Sequence, residues 1–294
     1  MESIKRGWGF LKQSWQMAMA DKDLIKPSIY ALVAGVIVTI ILVIPIGFIS
    51  FLVQSSQAGQ VIIYILGAIL IFIQYLVGYV FSGMTAYLIY GYLAEGDGRM
   101  DKAWAIVRRD AWDLASLAAA STAVNLLKSL VSGKGRSGGR NLLAGLIDTV
   151  WTEAAFLILP AMVIEDINLK DGVKRAAQII KNNLLLVGIS TVGVKTITGL
   201  IGFLLGALGV GLGLGVGLGI VSASQGAVAG LITGVTLGIL IATPFILFAT
   251  VITTYTATAY HTCLYLWARD VERARLAGQT GEVSAPSPLA AVLQ

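Results

Sequence analysis

Long apolar runs recur along the chain, separated by short polar or charged turns. Runs of about 18 residues or more predict helices able to cross a bilayer. Ser28–Val53 is the first, with Pro45 inside it, and Val61–Leu93 is the second. The uncharged turn Gln54–Gln60 lies between them. Leu114–Leu127 sits between Asp113 and Lys128; as a helix it reaches about 21 Å, short of a ~30 Å hydrocarbon core. Asn141–Ile164 is apolar but interrupted by Asp148, Glu153 and Pro160. Leu184–Val221 and Gly226–Trp267 complete the pattern as a long hairpin, with Thr243-Pro244 predicting a bend in its second arm. The expected fold class is all-α: a polytopic helical membrane protein with about six membrane-inserted segments.

Amphipathic stretches flank these runs. Ile4, Trp8, Leu11, Trp15 and Ala18 share one helical face, with Lys5, Lys12 and Gln16 off it. That face predicts an N-terminal helix over residues 1–26, either lying at the membrane interface with Trp8 and Trp15 as anchors or packed on the protein's own surface. After the turn Glu95–Asp101, Ala103, Ile106, Val107 and Ala111 form one apolar face. After Glu165-Asp166, Val173, Ala176, Ala177 and Ile180 form another. Residues 80–127 and 154–200 thus share an order: span, acidic turn, amphipathic basic helix, re-entering apolar segment. The transmembrane domain is expected over 27–276. Residues 277–294, with Pro286 and Pro288, read as a disordered tail.

Glycine spacing adds a packing rule. Gly209, Gly213 and Gly217 form one ladder, and Gly211, Gly215 and Gly219 a second. Past Ser222–Gln225 comes a third: Gly226, Gly230, Gly234 and Gly238. A spacing of four keeps each ladder on one helical face. In an antiparallel hairpin, Gly209, Gly213 and Gly217 oppose Gly238, Gly234 and Gly230, and the bare backbones approach closely. The second ladder points away and calls for another helix or another copy of the chain. An alternating-Gly run also suits a strand, but an open strand leaves backbone groups unpaired in lipid.

Composition agrees with a membrane protein: 56% hydrophobic, 13% charged, mean hydropathy +0.82. The net charge of +5 reads as topology signal and affinity for membrane lipids, not as nucleic-acid binding. Basic excess near the N-terminal helix, 94–113, 165–183 and 269–275 predicts that both termini are cytoplasmic. The basic loop 128–140 conflicts with that orientation. Either 114–127 crosses as a short, shielded third span, or it re-enters with 141–164; the internal repeat favours crossing.

Ionisable groups inside spans are costly and usually paired. Glu153 and Lys195 match in depth from the cytoplasmic ends of their segments, so pairing is expected. Asp148 lies nearer Lys128 or Arg140. One histidine and one cysteine, His261 and Cys263, exclude a multi-histidine metal site or an internal disulfide within the chain. No H-E-x-x-H, C-x-x-C or G-x-S-x-G motif occurs. No catalytic, cofactor-binding or metal residue is assigned, no cofactor is expected, and an enzyme is the weakest class.

Two resemblances follow from motifs. The G-x-G-x-G helix and tight turn at 209–226 resemble the rotor-ring subunit of rotary ATP synthases, whose glycines pack neighbouring hairpins. Gly226–Trp267 lacks that family's carboxylate, so the likeness implies close packing without proton translocation. Arg6-Gly7-Trp8, Lys12-Gln13-Ser14-Trp15, Asp21-Lys22-Asp23-Leu24, the turn at 95–98 and Leu159–Asp166 resemble a family of uncharacterised prokaryotic multi-span membrane proteins. That likeness implies a bacterial or archaeal inner-membrane location, supports the topology, and implies no chemistry. The first functional expectation is a channel or permease for a small solute, from the buried charges and the tyrosines of the second span. The second is a structural protein forming a homo-oligomer or holding a membrane complex, from the second glycine ladder.

Overall fold

In a computed structural model, which describes residues 2–53, 56–132, 138–182, 184–225, 227–279 and 283–293, the described residues form α-helices joined by short turns. They are α1 (Glu2–Ala20), α2 (Lys26–Val53), α3 (Gln57–Glu95), α4 (Met100–Arg109), α5 (Ala111–Ser132), α6 (Gly138–Glu165), α7 (Leu169–Asn182), α8 (Leu184–Ala223), α9 (Val228–Leu276) and α10 (Ser287–Leu293). Six of them are long and apolar enough to cross a membrane. These six pair in chain order as three hairpins: α2 with α3, α5 with α6, α8 with α9.

Burial is uneven along the hairpins. Toward their tips the apolar side chains face outward, as at Phe48, Phe51, Tyr64, Phe203 and Leu218. The core gathers at the opposite end, where α1, α4, α7 and α10 pack around the lower turns of α3, α6 and α9. Met84, Leu88, Ile158, Met162, Tyr260 and Leu264 are fully or almost fully buried there. Such a division suits a protein whose one end is surrounded by lipid tails, which cover apolar surface without burying it in protein.

The two halves of the expected internal repeat appear as α3–α4–α5 and α6–α7–α8. Each first helix stops at a left-handed residue, Gly96 at φ 79° and Asp166 at φ 54°. Arg109 ties the junction of α4 and α5 to the turn after α6, at 2.6 Å from Asp110 and 3.0 Å from Asp166. Arg175 on α7 pairs with Glu165 and Glu272, tying α6 to α9. Burial opposes its charge, but the Glu272 hydrogen bond and the Glu165 charge outweigh that and hold its pKa above the ordinary guanidinium value.

Several expectations change. The third apolar helix is α5, 22 residues from Ala111 to Ser132, not the short 114–127. It reaches about 33 Å, enough for a hydrocarbon core. It continues through Lys128 because Asp148 on α6 meets that charge at 2.8 Å. The buried face of α7 is Gly172, Ala176 and Ile179, and Val173 is exposed. The rotation follows from Gly172, where a Cβ would come within 3.2 Å of Ile158 and Met162. The disordered tail does not hold for residues 283–293: α10 packs on α1, Leu289 is fully buried, and Trp267 donates to the Val283 carbonyl at 3.2 Å. α2, α6 and α9 run on as helices through Pro45, Pro160 and Pro244.

α1 packs against α8, α9 and α10. Phe10, Ser14, Met17 and Ala18 are buried, and Phe10 meets Tyr260 edge-on at 5.5 Å. Trp15 lies edge-on to Phe248 at 6.4 Å, while Trp8 stays more than half exposed. Leu11 and Ala18 of the expected face are buried, while Trp8 is not and Phe10 and Ser14 are, so the buried stripe is turned partly from the one the periodicity marks. Asp21 joins two of the motif segments. One of its oxygens accepts from Asp23 N at 2.9 Å, the other from Gly98 N at 2.7 Å. Gly98 has no room for a side chain, since a Cβ would stand 2.6 Å from Leu24.

The glycine hairpin

α8 and α9 approach through Gly213, Gly217, Gly234 and Gly238. A Cβ on Gly217 would lie 2.8 Å from the Gly234 carbonyl oxygen, and one on Gly238 2.8 Å from that of Gly213. A Cβ on Gly213 would overlap the Gly238 carbonyl. The register differs from the expected one by a full turn: Gly213 faces Gly238 and Gly217 faces Gly234. Gly209 meets Ala242 and Phe245, and Gly230 meets Ser224 in the turn. The reason is where the turn falls. α8 continues through Ser222 and Ala223, so the turn centres two residues later than the polar break suggests. In an antiparallel pair that shift moves the pairing by four residues, one helical turn, and glycine again meets glycine. Gly226 lies outside the described residues. Nothing in the described chain stands within 4 Å of a Cβ built on Gly211, Gly215 or Gly219.

Candidate functional site: a polar pocket between α3, α5 and α6

Each of three helices brings polar groups to one space at helical spacing: Tyr75 and Tyr79 on α3, Ser121 and Asn125 on α5, Asp148 and Trp151 on α6. The cavity between them measures about 290 Å³. Its wall is a hydrogen-bonded set. The Trp151 indole donates to Ser121 Oγ at 2.9 Å, and Ser121 Oγ lies 2.6 Å from the Tyr79 hydroxyl. Asn125 reaches toward the Tyr75 hydroxyl at 3.4 Å, and Tyr75 stacks on Tyr79 at 5.9 Å. Gln74 reaches across to α2, donating to Gly35 O at 3.1 Å and Thr39 Oγ1 at 2.7 Å. Gly35 and Thr39 lie near the middle of the charge-free stretch of α2, so the pocket sits halfway along the apolar helices.

Asp148 and Lys128 pair beside this pocket with half and a third of their side chains exposed. Phe156 and Leu159 line it as well. Phe156 stacks on His261 with ring centres 4.5 Å apart. His261 Nδ1 lies 2.7 Å from the Ala257 carbonyl and Nε2 3.0 Å from Glu153. A carbonyl only accepts, so Nδ1 carries a hydrogen. Lys195 pairs with the second oxygen of Glu153.

The structure thus brings Glu153 together with Lys195 and sets Asp148 against Lys128. It keeps these two groups apart: Asp148 lines the pocket, and Glu153 and Lys195 do not. Arg140, the other partner considered for Asp148, has a side chain outside the described ones. His261 as the third member of the Glu153 cluster escapes the sequence, since nothing in its spacing points to α6. Ser121, Asn125 and Trp151 also escape it; their only signal is that each falls one turn from another polar residue. Among the described residues no cluster of three or more His, Cys, Asp or Glu side chains suits a metal ion.

Fold and site together define, among the described residues, an all-helical protein with six potential membrane spans and, midway along them, a largely apolar pocket that carries polar groups from three helices. Comparison with family models, with curated proteins and with solved structures returns no match. The resemblances of the opening motif and the glycine hairpin accordingly bring no fold or activity to this pocket.

Proposed function

We propose that the protein is a permease-type carrier of a bacterial or archaeal inner membrane, moving a small polar or amphiphilic molecule through the α3/α5/α6 pocket. The supporting observation is a cavity of about 290 Å³ lined by hydroxyls, amides and Asp148 halfway along apolar helices. Polar groups at that depth are expensive unless they serve a path or one another. Both termini pack at the end holding α1, α4 and α7, and their basic residues favour that end as cytoplasmic.

Gly78 offers a clean test. It lines the pocket, and a Cβ there meets nothing within 4 Å. Gly78→Leu fills the cavity without disturbing a packed contact. Proteoliposomes would be offered radiolabelled amino acids, sugars and quaternary amines, and lipids with fluorescent headgroups. Wild type is expected to move at least one class, and Gly78→Leu to slow it about tenfold or more while the melting temperature stays unchanged. Equal movement by both proteins across the panel would sink the carrier reading.

Self-association is a second reading, favoured by the open ladder Gly211, Gly215 and Gly219. Each lipid-facing glycine forfeits about 1 kcal/mol of helix propensity relative to alanine, a loss that close packing against another copy offsets. Gly211→Leu should dissociate such an assembly in native mass measurements while leaving the hairpin folded. An unchanged mass would remove the ladder from the interface.

A further inference from the structure

Two apolar grooves adjoin the polar pocket. One, of about 430 Å³, shares Gln74 and Tyr75 with it and runs past Leu70 and Ile71. The other, of about 390 Å³, shares Val124 and Trp151 and runs past Leu146 and Val150. Beside the pocket stands an ion pair, Lys128 with Asp148, whose partners are 2.8 Å apart and still partly exposed. A free polar solute has no use for the grooves. A neutral amphiphile has no use for the separated charges.

We propose that the pocket receives the headgroup of a zwitterionic phospholipid bearing a primary ammonium. Its phosphate lies against Lys128, its ammonium against Asp148, and its acyl chains follow the two grooves. This rests on the carrier reading and names the cargo. Phosphate and ammonium separated by a two-carbon link match a lysine and an aspartate set side by side. Binding exchanges the internal pair for two charge-assisted pairs, so neither charge is left alone in lipid. A net-anionic headgroup would satisfy Lys128 and leave Asp148 facing a phosphate. A quaternary ammonium cannot donate hydrogen bonds to Asp148. A primary ammonium can, with three hydrogens to give.

The test places the full-length protein in nanodiscs containing equal parts of phosphatidylethanolamine, phosphatidylcholine and phosphatidylglycerol. Native mass spectrometry then reads the lipid kept on release. The expected result is one phosphatidylethanolamine per chain in preference to the other two. Asp148→Asn, which keeps the shape and loses the charge, should lower that retention about tenfold. Gly78→Leu, which leaves the ion pair untouched, should lower it as much. Retention without headgroup preference, preference for either other lipid, or retention indifferent to both substitutions would overturn the proposal. The two ideas separate cleanly. A protein that keeps phosphatidylethanolamine but moves nothing supports the headgroup site and sinks the carrier. One that moves a small solute and keeps no lipid does the reverse.

Discussion

Gly213→Leu is expected to unfold the α8–α9 hairpin. Even a Cβ at this position overlaps the Gly238 carbonyl, which belongs to the backbone of the facing helix and cannot swing aside. The next nearest atom beyond that peptide group is the Ala242 Cβ, at 3.3 Å. Four added carbons can be placed only by separating the helices along their glycine contact, and separation also opens the Gly217–Gly234 contact one turn away. Overpacking of a side-chain core typically costs about 1–3 kcal/mol; with backbone on both sides the cost should lie at or above the top of that range. Thermal unfolding in detergent reads the loss. Gly211→Leu is the matched control, two residues away on the open face. Equal stability of the two variants would show that the glycine contact does not hold the hairpin.

That contact also shows what the amino-acid pattern carries. A four-residue repeat fixes which face of α8 meets which face of α9, because 3.6 residues complete a turn. It does not fix register, because sliding the helices by one repeat puts glycine opposite glycine again. Only the turn breaks the tie, and the turn residues Ser222–Gln225 do not announce that α8 consumes the first two of them. The length of α5 was hidden differently. Lys128 looks like the end of a span until Asp148, on another helix, is seen to neutralise it. The pairing of Glu153 with Lys195 was readable from depth along two helices, whereas the pocket was not. Its polar residues arrive from three helices, and their common direction depends on helix rotations that composition does not set. Leu289, in a stretch that looks too short and proline-rich to order itself, is held by a surface that exists only once α1 has docked.

Glu153→Leu is the second substitution expected to act strongly. Glu153 faces two partners, Lys195 as an ion pair at one oxygen and His261 Nε2 at the other. Leucine would leave a lysine without a counter-charge and Nε2 of a buried imidazole without a partner. Breaking a fully buried pair costs about 3–5 kcal/mol; with the Lys195 side chain 47% exposed, the loss should fall below that range but above the roughly 1 kcal/mol of a surface pair. Glu153→Gln should cost much less. Its carbonyl can still accept from Lys195, and its amide can donate to a neutral Nε2, now a bare acceptor. Melting temperatures of the two variants provide the check. If leucine and glutamine are tolerated alike, the Glu153 cluster does not hold α6 to α8 and α9.

The central claim is that a polar, water-reachable pocket lies midway along apolar helices, and thiol labelling tests it most directly. Cys263 is the only cysteine and is buried, so Cys263→Ser provides a clean background. In proteoliposomes of that background, Asn125→Cys would be exposed to a water-soluble maleimide beside Phe203→Cys, whose parent side chain is 70% exposed midway along α8. The account predicts that Asn125→Cys reacts, that adding Gly78→Leu protects it, and that Phe203→Cys stays unlabelled within the lipid. An Asn125→Cys protein as inert as Phe203→Cys would contradict it.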